Sequence, residues 1–241
     1  MKKNLIFLPV SLPFFIFLLG LPFLLLAVLS LLEASPGPLL RRALGLSVLE
    51  SVALYLTILL ASVFNVPVYS FKSRRDSEQK YASYLGGKYP LPVWHGHNTV
   101  VSINLGGCVV SAMASGYFAF AILSQWPAIA LSIVIVSLGV FLVSKPSRSL
   151  GFYVPFYVPP LLSLAVALAA LYTTGGGLYN CARLAFIASV FGTIAGTSLL
   201  NTPRLRLLGT GFVSVGGYGS FDGIFLSGVL GTIVACIFAS I

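Results

Sequence analysis

The chain of 241 residues is 58% hydrophobic and only 8% charged, with a mean hydropathy of +1.00. Soluble domains carry about a quarter charged residues, so this composition excludes an ordinary soluble domain and indicates an integral membrane protein. The formal net charge of +9 also occurs in nucleic-acid-binding proteins. Here the basic residues lie in short segments between apolar stretches, where they report membrane orientation, and we expect no nucleic-acid partner.

The apolar stretches predict an all-α fold, a polytopic transmembrane bundle of about seven helices, several of them broken by glycine or proline. A spanning helix requires roughly 20 apolar residues. The expected spans are residues 5–32, 43–64, 99–122, 127–144, 151–173, 182–200 and 223–241. We expect one domain over residues 1–241, made of an N-terminal helical hairpin (1–64), a polar cytoplasmic loop (65–98) and a five-helix core (99–241).

The basic residues predict the topology. The segments after the fourth and sixth spans are basic, whereas the turns at 123–126 and 174–181 carry no charge. The positive-inside rule therefore places the N-terminus in the cytoplasm and the C-terminus outside the cell membrane. Only three of the 14 Lys and Arg residues fall on the outer side: Arg41, Arg42 and Arg183. Membrane lipid, and other membrane subunits, are the expected partners.

Two of the five acidic residues stand out: Glu50 falls within a predicted span, and Asp222 directly precedes the last one. A carboxylate at bilayer depth costs about 2.5–3.5 kcal/mol and is a functional hypothesis by default. Burial would raise the pKa of either group, which suits acid catalysis or proton coupling. Each also has a structural interpretation. Glu50 would make an interhelical hydrogen bond or pair with Arg41 or Arg42, and Asp222 would cap the last helix.

Glycines surround Asp222 in the stretch GGYGSFDGIF, residues 216–225. They are unfavourable in a helix, so residues 209–221 are predicted to form a loop or a partly unwound start in which backbones approach closely. Asp222 would then lie where this segment becomes helical, at the cytoplasmic side. It is the candidate catalytic residue, and the glycines expected to break the backbone are Gly216, Gly217, Gly219 and Gly223.

Three further motifs combine small, polar or proline residues. Asn104 lies in SINLGGCVVS, three prolines lie in YVPFYVPP (153–160), and Ser198 and Asn201 lie in GTIAGTSLLN (192–201). The prolines should kink the fifth span or keep its start non-helical. Gly192 and Gly196 should permit a close approach between spans six and seven.

His95 and His97 are alternate residues ahead of the third span. Two imidazoles without a third ligand are a weak metal signal, so an interfacial loop is the better interpretation. We therefore expect no metal and no cofactor.

Four of these motifs together, INLGG, PFYVPP, GTIAGTSLLN and GGYGSFDGIFLSG, resemble an uncharacterised family of prokaryotic membrane proteins, domain of unknown function 1614. The resemblance covers roughly residues 98–241, and GGYGSFDGIFLSG is its most specific motif. It implies a membrane-embedded core and no particular activity.

The segment SFDGIFLSGVLG is more distantly similar to the one that follows the second catalytic aspartate of presenilin and signal-peptide-peptidase type intramembrane proteases. Asp222 would match that aspartate, although Gly-Ser-Phe precedes it in place of the G-x-G pattern. The resemblance to the uncharacterised family implies that Ser198 stands where that family has an aspartate in its sixth span. Because aspartic proteolysis needs two carboxylates that share a proton, the dyad is incomplete.

Three functions follow as hypotheses. The favoured one is a non-enzymatic or accessory subunit built on an intramembrane-protease-like helix bundle, since ionisable groups are few and the dyad is incomplete. An intramembrane hydrolase that uses Asp222 is the first alternative. A proton-coupled transporter is the second, because transporter sites are often built from broken helices such as those expected at 153–160 and 209–222.

Overall fold

The fold combines helices with a small mixed sheet. A computed structural model describes residues 5–6, 12–31, 41, 43–72, 81–84, 87–90, 98–147, 151–174, 179–208, 211–217, 221 and 224. Its helices are α1 (Leu12–Leu31), α2 (Val48–Ala61), α3 (Ser111–Ala121), α4 (Trp126–Val143), α5 (Val158–Thr174), α6 (Tyr179–Ile194) and α7 (Thr202–Leu208). One π-helical segment, Leu105–Val110, directly precedes α3. A second, Ala195–Leu199, extends α6.

Four strands form one sheet in the order β1–β2–β5–β8. They are β1 (Leu5–Ile6), β2 (Phe64–Lys72), β5 (Asn98–Asn104) and β8 (Phe212–Val215). Strands β1, β2 and β5 pair antiparallel, and β8 pairs parallel with β5. Two hairpins are separate from it: β3 (Tyr81–Tyr84) with β4 (Gly87–Pro90), and β6 (Lys145–Ser147) with β7 (Gly151–Tyr153).

The sheet corrects the all-α prediction in two places. Residues 98–104, expected as the start of a third span over 99–122, form β5, and the helical part begins only at Leu105. Residues 65–72, expected in a cytoplasmic loop, belong to β2. The sequences NTVVSIN and FNVPVYSFK are rich in β-branched and aromatic residues, which favour strands. The periodicity of a short apolar run cannot tell a strand from a helix, which is why residues 98–104 were assigned to a helical span.

Five other predicted spans correspond to helices of the described chain, and α1, α2 and α5 are shorter than predicted. α4 lies almost at the predicted 127–144, and α6 with its π-helical extension covers 179–199. α5 begins at Val158, with Pro159 and Pro160 in its first turn, so the expected non-helical start is confirmed. Of the predicted span 223–241, only Ile224 is among the described residues.

Helix α6 is the central helix, and α3, α4 and α5 pack around it. Its side chains are buried along its length, as at Leu184, Ile187 and Val190. The stretches Leu123–Val143 and Asn180–Leu199 are long and apolar enough to cross a membrane. They differ in position, since α6 lies inside the bundle and α4 presents an apolar outer face to the surroundings.

The small residues of α6 allow α4 to approach closely. A Cβ at Gly192 would lie 2.6 Å from Cγ1 of Val136, and a Cβ at Gly196 would lie 2.6 Å from the carbonyl oxygen of Ser137. These glycines permit a close approach, and the neighbour seen is α4. The predicted contact with a seventh span falls outside the described residues and stays a prediction.

Replacing Gly196 should test this packing. Gly196→Ala is expected to lower the thermal unfolding midpoint in detergent, since overpacking a tight contact costs about 1–3 kcal/mol. Gly116→Ala is the matched control, because a Cβ there meets no atom within 4 Å and alanine favours a helix. A midpoint for Gly196→Ala equal to or above that of Gly116→Ala would contradict the packing.

Candidate functional site

Asn104 joins three elements at the end of β5. Its side chain is fully buried, and its Oδ1 accepts a hydrogen bond from the backbone N–H of Gly107 at 2.7 Å. Its Nδ2 donates to the carbonyl oxygen of Ser62 at 2.6 Å and to Oδ1 of Asn65 at 3.2 Å. One amide therefore caps the first π-helical segment, binds the end of α2 and reaches across to β2.

Ser214 extends this arrangement to the fourth strand, β8. Its Oγ donates to Oδ1 of Asn65 at 2.5 Å. The strand register pairs Asn65 with Asn104 and Ser102 with Ser214, so these side chains share one face of the sheet. We call Asn65, Asn104 and Ser214, with the Ser62 carbonyl and the Gly107 amide, the asparagine network. It is a buried polar connection across β2, β5 and β8.

Asn65 is the least satisfied member of the network. Its side chain is fully buried, and its Nδ2 has no hydrogen-bond partner among the described residues. A buried donor left unpaired costs about 1–3 kcal/mol, so this amide is the one group of the network with binding capacity to spare. Gly217 lies directly over it, since a Cβ at Gly217 would stand 3.3 Å from Oδ1 of Asn65.

Two glycine-rich segments contact each other through their backbones beside the asparagine network. A Cβ at Gly107 would overlap the carbonyl oxygen of Gly216, and a Cβ at Gly106 would overlap the backbone at Ile58 and Ser62. Gly216 also has a φ of +73°, which side chains with a Cβ rarely adopt. The motifs INLGG and GGYGSFDG are thus in direct contact, which confirms the close backbone approach expected at Gly216.

The first π-helical segment follows immediately from Asn104. Its wider turn changes the backbone bonding, and the Oγ of Ser111 donates to the carbonyl oxygen of Gly106 at 2.9 Å. Single π-helical turns are frequent at functional sites. Here the segment turns the chain from the sheet into α3 while keeping Gly106 and Gly107 against their neighbours.

Ser198 and Asn201 belong to a second polar cluster, at the end of α6. The Nδ2 of Asn201 donates to the carbonyl oxygen of Gly196 at 2.9 Å and to Oγ of Ser144 at 3.0 Å. Ser198 is buried, with its Oγ 3.4 Å from the hydroxyl of Thr197. Within the described chain no hydrogen bond connects this cluster to the asparagine network, so the predicted site residues divide between two places.

Glu50 has a local structural role. It is exposed at the start of α2, where its Oε2 accepts the backbone N–H of Ser47 at 2.7 Å and its own N–H donates to the Ser47 hydroxyl at 3.3 Å. Glu50 therefore forms a capping box with Ser47, and its position at bilayer depth stays a prediction. The spacing Ser-x-x-Glu before an apolar run was the signal for this capping box.

Several predicted residues lie outside the described part of the chain: Asp222, Gly219, Gly223, His95 and His97. Among the residues that are described, no group of three His, Cys, Asp or Glu side chains could hold a metal ion. Sequence reasoning missed Asn65 and Ser214. A polar residue such as Asn65 between Phe64 and Val66 was the available signal, because a buried amide needs partners.

The chain matches one family over residues 59–234, described as protein of unknown function DUF1614. The chain belongs to this family. The match to DUF1614 includes every residue of the asparagine network and both π-helical segments, while Arg41 and Glu50 precede it. No curated protein and no solved structure matches the chain, so these comparisons give no support to the likeness to presenilin-type proteases.

Asn104→Ala should be strongly destabilising. It leaves the Gly107 N–H and the Ser62 carbonyl without their partner, and each unsatisfied buried group costs about 1–3 kcal/mol. Asn98→Ala is the matched control, since Asn98 is exposed on the same strand. Thermal unfolding in detergent should show a much lower midpoint for Asn104→Ala than for Asn98→Ala. Equal midpoints would mean that the network does not hold the sheet to α2.

Proposed function

We propose that this DUF1614 protein is a multi-pass membrane protein whose role is structural or accessory. The outer face of α4 carries this proposal. On this face three leucines are more than half exposed, Leu131 at 61%, Leu138 at 51% and Leu142 at 79%. In the most apolar 18 residues of this stretch, only 28% of the residues are buried. A helix that is apolar all round and mostly uncovered requires lipid or another apolar surface around it.

The same kind of surface recurs on other helices. Large apolar side chains are more than half exposed on α3 (Met113, Tyr117 and Phe120) and on α1 (Ile16 and Phe23). By contrast, in the most apolar 18 residues of the central helix, 67% of the residues are buried. Apolar side chains therefore both fill the interior and cover the outside of the bundle, which is the distribution that a bilayer favours and water does not.

The packing of α4 and α6 supports the predicted orientation. The two helices run parallel, since Val136 opposes Gly192 and Ser144 opposes Asn201. The basic segments that follow them therefore meet at one end, where the guanidinium of Arg204 lies 4.7 Å from the ring centre of Phe141. We place this end in the cytoplasm, with the N-terminus on that side and the C-terminus outside.

The number of complete spans is part of the proposal. Helix α2 has 14 residues and would reach only about 21 Å at 1.5 Å per residue, less than the apolar thickness of a bilayer. Helices α1, α4, α5 and α6, with α3 and its preceding π-helical segment, provide longer apolar elements. We infer a multi-pass bundle in which α2 is a short span, with its start at the outer end next to Arg183 and its end at the sheet.

Membrane insertion and orientation should be tested together. The protein is expected to remain in membranes during alkaline carbonate extraction. In a variant without native cysteines, Gln125→Cys should react with an impermeant maleimide applied to intact cells, because Gln125 lies in the uncharged outer turn. Lys145→Cys should react only after permeabilisation. Release by carbonate, or labelling of Lys145→Cys in intact cells, would overturn this proposal.

The asparagine network supports a structural role. Its hydrogen bonds connect strands to one another and to α2, and its described members are amides, a hydroxyl and backbone groups. Such groups position a backbone well but do not exchange protons near neutral pH. On this proposal the network keeps the sheet at one end of the bundle in a fixed register, available to an accessory contact with another membrane subunit.

An intramembrane hydrolase that uses Asp222 is the second candidate, and one observation favours it. The Asn65 amide, whose Nδ2 has no partner among the described residues, has its Oδ1 near Gly217, five residues before Asp222 in sequence. An amide donor of this kind suits a carboxylate acceptor. The candidate still needs a second acid: Glu50 caps α2, and Ser198 lies in the other polar cluster.

Asp222→Asn distinguishes the two candidates. For an accessory subunit, purified wild type and Asp222→Asn should both leave a quenched fluorescent library of transmembrane peptides in detergent uncleaved. They should also keep similar thermal midpoints, since asparagine can cap a helix as well as aspartate does. Cleavage by wild type that Asp222→Asn abolishes, with Asn98→Ala as an unaffected control, would establish the hydrolase and end the accessory proposal.

A further inference from the structure

Arg183 is a partly buried cation at the outer end of the central helix. Its Nε is buried and has no hydrogen-bond partner, and the described residues provide no ion pair for its guanidinium. A buried charge without a partner is strongly unfavourable, because it loses hydration and gains nothing in exchange. The structure therefore contains a cationic group with unused capacity for an anion.

The turn before α2 lies against this guanidinium. A Cβ at Gly45 would lie 2.7 Å from Nη2 of Arg183. Gly45 has a φ of +78°, and its N–H donates to the carbonyl oxygen of Arg41 at 3.0 Å. This turn places the backbone of Arg41, on the segment before α2, close to the residue that contacts Arg183.

The charge of this region is positive. Arg41 is exposed, and the nearest described carboxylate, Glu50, is held by Ser47. Arg41, Arg42 and Arg183 are also the three basic residues that the positive-inside rule leaves on the outer side. Of these, Arg41 and Arg183 are connected by the turn at Gly45, and two cations placed at one end of the bundle need a counter-charge there.

We propose that Arg183 and Arg41 form a binding site for a phosphate group, supplied by an anionic phospholipid of the outer leaflet. A guanidinium presents parallel N–H donors that match phosphate oxygens. Leu49, four residues after Gly45 in the first turn of α2, is 79% exposed and offers apolar surface for an acyl chain. This inference depends on the membrane insertion proposed above, and it names the lipid chemistry that the bundle recognises.

The test compares lipids on the purified protein. Phosphatidylglycerol should raise the thermal midpoint of wild type more than the same amount of phosphatidylcholine. Arg183→Gln should weaken phosphatidylglycerol affinity about fivefold, the effect of removing one basic residue beside an anionic lipid. Arg204→Gln is the matched control, because Arg204 lies at the opposite end of α6, and it should retain the wild-type response.

Each further outcome decides the matter. If inorganic phosphate with phosphatidylcholine reproduces the stabilisation, the phosphate site holds but its source is soluble. If Arg183→Gln lowers the thermal unfolding midpoint equally in both lipids and Glu33→Gln lowers it by the same amount, Arg183 has Glu33 as an internal partner. That result would overturn the proposal. If Arg183→Gln does not fold, Arg41→Gln replaces it, with the same loss of response expected. Equal stabilisation by both lipids in a protein that resists carbonate extraction would reject this site and leave the membrane proposal intact.

Discussion

The backbone contact between Gly107 and Gly216 is the constraint on which the rest of the architecture depends. It brings the end of β5 and the turn after β8 together so closely that no side chain fits between them. Asn104 fixes one side of this contact by capping the π-helical segment, and Ser214 fixes the other through Asn65. Polar groups so deeply buried stabilise only when satisfied, so the network specifies one strand register.

A second close contact, between two helices, holds the bundle together. Helix α6 packs against α4 through Gly192 and Gly196, and the helices run in parallel. Parallel packing puts the starts of both helices at one end, with Arg183, and their carboxyl ends at the other, with Asn201 and Arg204. The molecule thus has two distinct ends: one next to the sheet, with Asn201 and Arg204, and one next to the start of α2, with Arg183. The proposed membrane orientation and the proposed lipid preference both rest on that difference.

Local features were readable from the sequence with good accuracy. Pro159 and Pro160 delayed the start of α5 as expected, because proline lacks an N–H and suits only the first turn of a helix. Glu50 shows how local chemistry can be misread. Its place in an apolar stretch suggested a buried acid, yet the serine three residues before it made it a capping residue at an exposed helix start. The shorter-range interaction decided its role.

The sequence by itself determined that this chain is apolar throughout, where several of its helices lie, and that its glycine motifs permit close contact. Only the tertiary structure decided that β2, β5 and β8 are strands and that Asn65, Asn104 and Ser214 meet. Asn65 is separated by 39 residues from Asn104 and by 149 from Ser214. Helical and capping preferences act between neighbours in the chain, whereas strand pairing and buried amide contacts depend on segments that only folding brings together.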